Sequence, residues 1–204
     1  MTPFVRPFEG AQRVPSSRLD LFIRRNFLSA EECTAIIAMI DARRRPSTIV
    51  DDIGDPQFRT SETCDLDPSH PLTRTLDNRI ADYLALDPAK GEPMQGQRYA
   101  PGQEFKLHTD YFEPDGADYG PNCAISGQRT WTAMIYLNEP EAGGATRFKL
   151  IDKIVQPETG KMLMWNNQLP DGRPNGATLH QGMKVRQGVK YVITKWFRER
   201  DWPG

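Results

Sequence analysis

The chain has no long apolar run, few cysteines and almost no net charge, and each scarcity closes off a class of function. No stretch approaches the roughly 20 consecutive apolar residues that a membrane-spanning helix needs, so nothing reads as a transmembrane segment. The opening residues, MTPFVRPFEGAQRVPSSR, lack the continuous apolar core and small-residue cleavage site of a secretory signal, and the expected location is the cytoplasm. Cys33, Cys64 and Cys123 are too few and too scattered for a disulfide framework or a C-x-x-C zinc site. They are expected as free thiols, in keeping with a reducing compartment. With 26 basic against 27 acidic residues the net charge is −1, which gives no electrostatic reason to expect a nucleic-acid partner. The local basic cluster Arg43-Arg44-Arg45 follows an expected helix and is read as complementing that helix's C-terminal dipole.

What is present fits one globular domain. A length of 204 residues with 38% hydrophobic and 26% charged side chains is enough to bury a sizeable core. Residues 1–18 are expected as an arm, extended along the domain or partly disordered, and 19–204 as a single domain. Ser29 and Glu32 have the spacing of a capping box, and Ile36, Ile37 and Ile40 then recur at helical intervals up to Pro46. From Pro71, the residues Leu72, Leu76, Ile80, Tyr83 and Leu84 mark the apolar stripe of a second helix.

After residue 93, short segments rich in β-branched and aromatic residues alternate with Pro-Gly, Gly-Gly and Asn turns. Strands are expected at about 94–100, 104–110, 130–137, 145–149, 162–165, 177–183 and 189–198. Helices followed by strands predict an α+β fold, with helices on one face of a largely antiparallel sheet. A double-sheet jelly roll would protect the edges of so many short strands.

Two of the three histidines stand where metal chemistry could use them. His108 and Asp110, two apart on the expected 104–110 strand, would point to one face, and His180 could supply a third ligand from another strand. Two histidines and a carboxylate leave coordination positions open, as iron(II) oxygenases require, although zinc with the same donors and a hydrogen-bonded surface histidine are rival readings. A dicarboxylate cosubstrate would also need a buried cation. Lys190 and Lys195 share the last strand but differ in parity, so only one can point inward; Trp196 has the parity of Lys190 and could wall the same cavity.

At this point the residues resemble a known family. Arg98-Tyr99-Ala100-Pro101-Gly102-Gln103 leading to His108-Thr109-Asp110-Tyr111-Phe112, then Gly127-Gln128-Arg129, Tyr136-Leu137-Asn138, Gly143-Gly144-Ala145-Thr146-Arg147-Phe148, Leu179-His180 and Lys190 through Trp196 are similar, in order and spacing, to the catalytic domain of prolyl 4-hydroxylases. The resemblance covers about residues 94–198 and extends more weakly back to Ser29. It implies a double-stranded β-helix, or jelly roll, with supporting N-terminal helices. It matches His108, Asp110 and His180 to the iron ligands and Lys190 to the basic residue that holds 2-oxoglutarate. It also matches Tyr99 and Tyr136 to tyrosines against the cosubstrate, Trp196 to an aromatic near the same pocket, and Arg129 to an arginine on the substrate side of some members. Arg129 reads equally well as a salt-bridged strand residue.

The activity implied is hydroxylation of an unactivated C–H bond, with Fe(2+) as metal, 2-oxoglutarate and O2 as cosubstrates, L-ascorbate as reductant, and release of succinate and CO2. A prolyl residue in a peptide or protein is the expected substrate. A free amino acid or other small molecule on the same scaffold is the alternative, as is a non-catalytic peptide-binding module, which would have no physical need for the triad together with Lys190. A zinc hydrolase leaves Lys190 and Tyr99 without a role. Residues 111–128, polar and with glycines at 116, 120 and 127, are expected to form a mobile lid. Ala145 stands where the family commonly has an acidic residue.

Overall fold

The computed structural model describes residues 8–47 and 58–203. Helix α1 (Ala30–Arg43) begins at the capping box read from the sequence: Glu32 N–H donates to the Ser29 hydroxyl, and Ser29 N–H donates to the Glu32 carboxylate. Cys33, Ile36 and Ile40 form its buried stripe. Helix α2 (Pro71–Leu84) starts with Pro71 in its first turn, where no N–H is needed, and His70 caps it by accepting from Leu72 N–H at 3.3 Å. Arg43 lies in the last turn of α1, as the dipole argument expects. The side chains of Arg44 and Arg45 go instead to carboxylates, to Asp41 and Glu62 and to Asp65 respectively.

Both helices pack on the outer face of an antiparallel sheet. Across it, the strands run in the order Gln12–Arg13, Leu21–Arg24, Met162–Asn166, Arg129–Tyr136, Lys190–Arg198, Gln95–Tyr99, Glu62–Asp65 and Arg45–Pro46. The contact with α1 is close: a Cβ on Gly96 would run into the side chain of Ile40, which is why that strand position carries no side chain. Ile36, Ile40, Leu76, Ile80, Ile135, Met162, Ile193 and Phe197 fill this first core layer. Each fully buried aliphatic or aromatic side chain contributes about 1.5–3 kcal/mol relative to exposure.

The opposite face of the large sheet meets a smaller one in the order Lys153–Val155, Thr146–Phe148, His180–Gly182 and Phe105–His108. A separate pair, Val185–Gln187 with Ala142–Gly143, flanks it. Between the sheets lie Leu21, Tyr99, Met134, Tyr136, Phe148, Leu163, Trp165, Val185 and Val192. Strand alternation divides the two layers: Ile193 and Phe197 face the helices, whereas Val192 faces the small sheet. This is the α+β arrangement of two face-to-face antiparallel sheets with helices on one side that the sequence suggested.

Several details differ from the sequence expectation. The strand expected at 104–110 ends at His108, and Asp110 lies beyond it in a bend. The segment expected at 177–183 is a short 3-10 turn, Gly176–Thr178, followed by the His180–Gly182 strand. Leu21–Arg24 and Glu62–Asp65 are strands that periodicity did not mark, because the first is buried on both faces and the second is short and polar. In the segment read as an arm, Gln12–Arg13 pairs with the Leu21–Arg24 strand, and the Phe8 ring packs edge-on against Phe22 at 4.9 Å; residues 1–7 lie outside the described range. Among the described residues no helix is long and apolar enough to cross a membrane.

Candidate metal centre

The small sheet brings the two histidines together. His108 and His180 are register partners on adjacent antiparallel strands, with ring centroids 4.2 Å apart. The bend after His108 returns Asp110 to the same point, so one ligand atom from each of the three residues lies within 4.8 Å of the others. The convergence that the sequence reading assigned to strand alternation is produced by this bend.

The ring orientations suit a metal. Nδ1 of His108 lies 2.7 Å from the Lys106 carbonyl and Nδ1 of His180 lies 2.8 Å from the Thr178 carbonyl, so each Nδ1 carries the proton and donates it. Each Nε2 lone pair is left free to ligate. Phe105 stacks on His108 at 3.5 Å, and Trp165 packs edge-on to His180 at 5.0 Å. Burial and the neighbouring His180 push the His108 imidazole down to about 3, so it is neutral at physiological pH. The 3.9 Å approach of His108 Nε2 to Asp110 Oδ1 is therefore a meeting of two metal donors and not an ion pair. Burial acts to raise the Asp110 carboxyl, but His180, His108, Arg129 and the Thr132 hydroxyl outweigh it and hold Asp110 below the usual carboxylate range.

The triad opens into a cavity between the sheets, lined among others by Tyr99, Thr146, Lys190 and Trp196. Lys190 is 2% exposed and register partner to Tyr99, and its ammonium sits 4.9 Å from the Tyr99 ring and 5.4 Å from the Tyr136 ring. Burial alone pushes it down to about 7, and no carboxylate of the described residues pairs with it. Lys195 lies on the other face, its ammonium 2.9 Å from Asp77 of α2. The parity argument thus assigns the two lysines as found.

The remaining expected site residues divide. Tyr99 and Trp196 line the cavity. Tyr136 is fully buried behind it, its hydroxyl 2.6 Å from Thr146 Oγ1. Arg129 turns away from the cavity and forms two hydrogen bonds, 2.6 and 2.7 Å, to Glu92, while its guanidinium stacks on Trp196 at 3.9 Å and donates to the Asp110 carbonyl at 3.3 Å. Arg198 reaches the same Glu92 carboxylate at 3.0 Å. Three polar residues near the triad carry no sequence signal of their own. Arg59 lines the cavity, stacked over Phe105 at 4.9 Å and held by Ser61 and Thr63 at 3.1 Å each. Thr132 and Asn167 stand behind Asp110.

The segment expected as a lid is mostly fastened. Residues Tyr119–Cys123 form a short helix, α3. Arg198 donates to the carbonyls of Gly127 at 2.8 Å and Asn122 at 2.6 Å, Arg200 donates to Ile125 at 2.8 Å, and the Gln128 side chain clamps both backbone groups of Phe112. Residues 113–117 form the longest exposed run of the segment and make no such tie to the rest of the fold.

The donor set and the open cavity fit iron(II), and the unpaired Lys190 fits the far carboxylate of a chelating dicarboxylate. Known proteins agree. Residues 94–198 match the 2OG-Fe(II) oxygenase superfamily. Prolyl 4-hydroxylase 1 of Arabidopsis thaliana is 33% identical over 201 residues, covering 88% of this chain and 69% of that protein. Prolyl 4-hydroxylase 5 of the same plant is 30% identical over 196 residues, covering 84% of this chain and 66% of that protein. The crystal structure of the viral collagen prolyl hydroxylase from Paramecium Bursaria Chlorella virus-1, in its 2OG complex, superposes with a TM-score of 0.70 at 28% identity over 87% of this chain and 95% of that one. The geometry of the site and these likenesses together make the chain a member of the 2OG-Fe(II) oxygenase superfamily.

Proposed function

We propose that the chain hydroxylates a prolyl residue in a peptide or protein substrate, with conversion of 2-oxoglutarate and O2 to succinate and CO2. The observation that carries the reading is the buried Lys190 ammonium, unpaired and facing the same cavity as the triad. A fully desolvated cation is costly unless a ligand supplies its counter-charge, and neither a zinc hydrolase nor a passive peptide-binding module needs one there. The prolyl assignment is supported by relatives named prolyl 4-hydroxylases.

In this reading His108, Asp110 and His180 hold the metal. Iron(II) held by these three residues would supply, with 2-oxoglutarate and O2 as cosubstrates, the oxidising power for putting oxygen into an unactivated C–H bond. The chain's own part is placement. Lys190 takes the far carboxylate of 2-oxoglutarate, Tyr99 packs beside it, and Tyr136 closes the cavity behind the ammonium. Trp196 walls the same cavity. Arg129 acts on the substrate side indirectly, by holding Trp196 and the backbone of Asp110. L-ascorbate serves as reductant for the metal. Cytoplasmic location is supported by three cysteines that are all buried as free thiols.

Mass spectrometry of proline-containing peptides, incubated with the protein, iron(II), ascorbate and 2-oxoglutarate, tests the assignment. A gain of one oxygen on proline is expected. Oxygen gained only by free amino acids or other small molecules would replace the peptide reading with the small-molecule one.

A further inference from the structure

Behind Asp110 stand two fully buried polar side chains that the reading above leaves without a role. Thr132 lies at the centre of the large sheet, register partner to both Trp165 and Trp196, and its hydroxyl is 2.7 Å from Asp110 Oδ2. The amide Nδ2 of Asn167 is 2.9 Å from that hydroxyl. A threonine hydroxyl has a single proton to give. Asn167 donates to the hydroxyl oxygen, so the proton has to point at Asp110. The reversed amide would draw the proton toward Asn167 and set the Thr132 oxygen against an ionised carboxylate with nothing between them.

We propose that Asn167 and Thr132 form a positioning relay for the metal. Asn167 fixes the Thr132 hydroxyl, Thr132 occupies Oδ2 of Asp110, and Asp110 is left to ligate through Oδ1, the oxygen that faces His108 Nε2. Ligation through one oxygen matters because a carboxylate binding through both would take a coordination position that the cosubstrate and O2 require. Asn167 is itself rigidly placed. Its N–H donates to the Thr130 carbonyl at 2.7 Å, and its carbonyl accepts from Asn175 N–H at 2.8 Å. Asn175 caps the Gly176–Thr178 turn, whose Thr178 carbonyl orients the His180 ring. One asparagine thus braces the Asp110 and His180 sides of the triad together.

The inference rests on the triad holding a metal, and the experiment separates the two. Mn(II) is titrated into the full-length metal-free protein and into Thr132→Val, Thr132→Ser, Asn167→Leu and His180→Ala, with free Mn(II) read by electron paramagnetic resonance. Loss of a partner behind a metal ligand typically costs about 10–100-fold in affinity, which is expected of Thr132→Val. Thr132→Ser keeps the hydroxyl and is expected to stay within about threefold of wild type, with Asn167→Leu between the two. The visible absorption of bound Co(II), which responds to coordination number, is expected to change in Thr132→Val and not in Thr132→Ser. Wild-type affinity in Thr132→Val, or an equal loss in Thr132→Ser, overturns the relay, the second by pointing to methyl packing. If Thr132→Val does not fold, wild-type affinity in Asn167→Leu overturns it instead. Undiminished binding by His180→Ala would refute the metal site itself.

Discussion

Replacing Lys190 by alanine removes the buried ammonium that the proposed reading assigns to the far carboxylate of 2-oxoglutarate. In the ligand-free protein burial pushes this ammonium down to about 7, and the groups facing it, Tyr99 and Tyr136, are moved upward by burial and stay neutral near that pH. A bound carboxylate favours the charged lysine. Binding above the free-state value therefore takes up a proton, and affinity for 2-oxoglutarate falls as pH rises, by about tenfold per unit, while below it the affinity is flat. Truncating one member of a buried charge pair costs about 2–5 kcal/mol, so Lys190→Ala raises the KM for 2-oxoglutarate by at least about tenfold and removes the pH slope. Lys195→Ala leaves that KM within about threefold, since its ammonium pairs with Asp77 on the helical face; its cost falls on stability, on the order of 2 kcal/mol, between exposed and fully buried ion pairs. Succinate formation against 2-oxoglutarate concentration from about pH 6 to 9 measures both effects, on variants shown to be folded by circular dichroism. A wild-type KM that ignores pH across that range, or a large defect in Lys195→Ala in place of Lys190→Ala, would refute the reasoning.

Alanine at His108, Asp110 or His180 is expected to abolish both turnover and tight binding of one metal per chain; near-normal turnover in any of the three removes that residue from the site. Glu92→Ala leaves Arg129 and Arg198 buried without their shared carboxylate, and urea unfolding is expected to show a loss of about 3–5 kcal/mol, a change below about 1 kcal/mol arguing against a desolvated cluster. Within residues 111–128, limited proteolysis is expected to cut first at 113–117, where the chain is exposed and untied, whereas first cleavage at 119–127 would mean that the Arg198 and Arg200 anchors are weak in solution.

Features that follow local rules were legible in the sequence. The Ser29–Glu32 capping box and Pro71 announce their helices because both act through backbone groups a few residues away. The opposite facing of Lys190 and Lys195 could be read because the Lys190–Arg198 strand is long and unbroken, so parity holds along it. Parity failed at Asp110, where the strand had already ended and a bend did the work. Two-residue strands such as Gln12–Arg13 are too short to show any period. The ties within residues 111–128 were not legible, because glycine and polar content reports local freedom only, while the carbonyls of Asn122, Ile125 and Gly127 are held by arginines some seventy positions away. Thr132 and Asn167 were invisible for the same reason, since their meaning arises from contacts across strands.

The pairing of His108 with His180 also bears on how the chain folds. The two residues are distant in sequence and meet only when the Phe105–His108 and His180–Gly182 strands have zipped together, a late and entropically expensive closure compared with forming α1 or α2. An unfolded chain offers the ion no such trio of donors, so the ion acts as a clasp on the native topology. At a free metal concentration about a hundred times its dissociation constant, it adds roughly 2.7 kcal/mol to the native state by mass action. Depletion of iron would then shorten the lifetime of the fold as well as silence it.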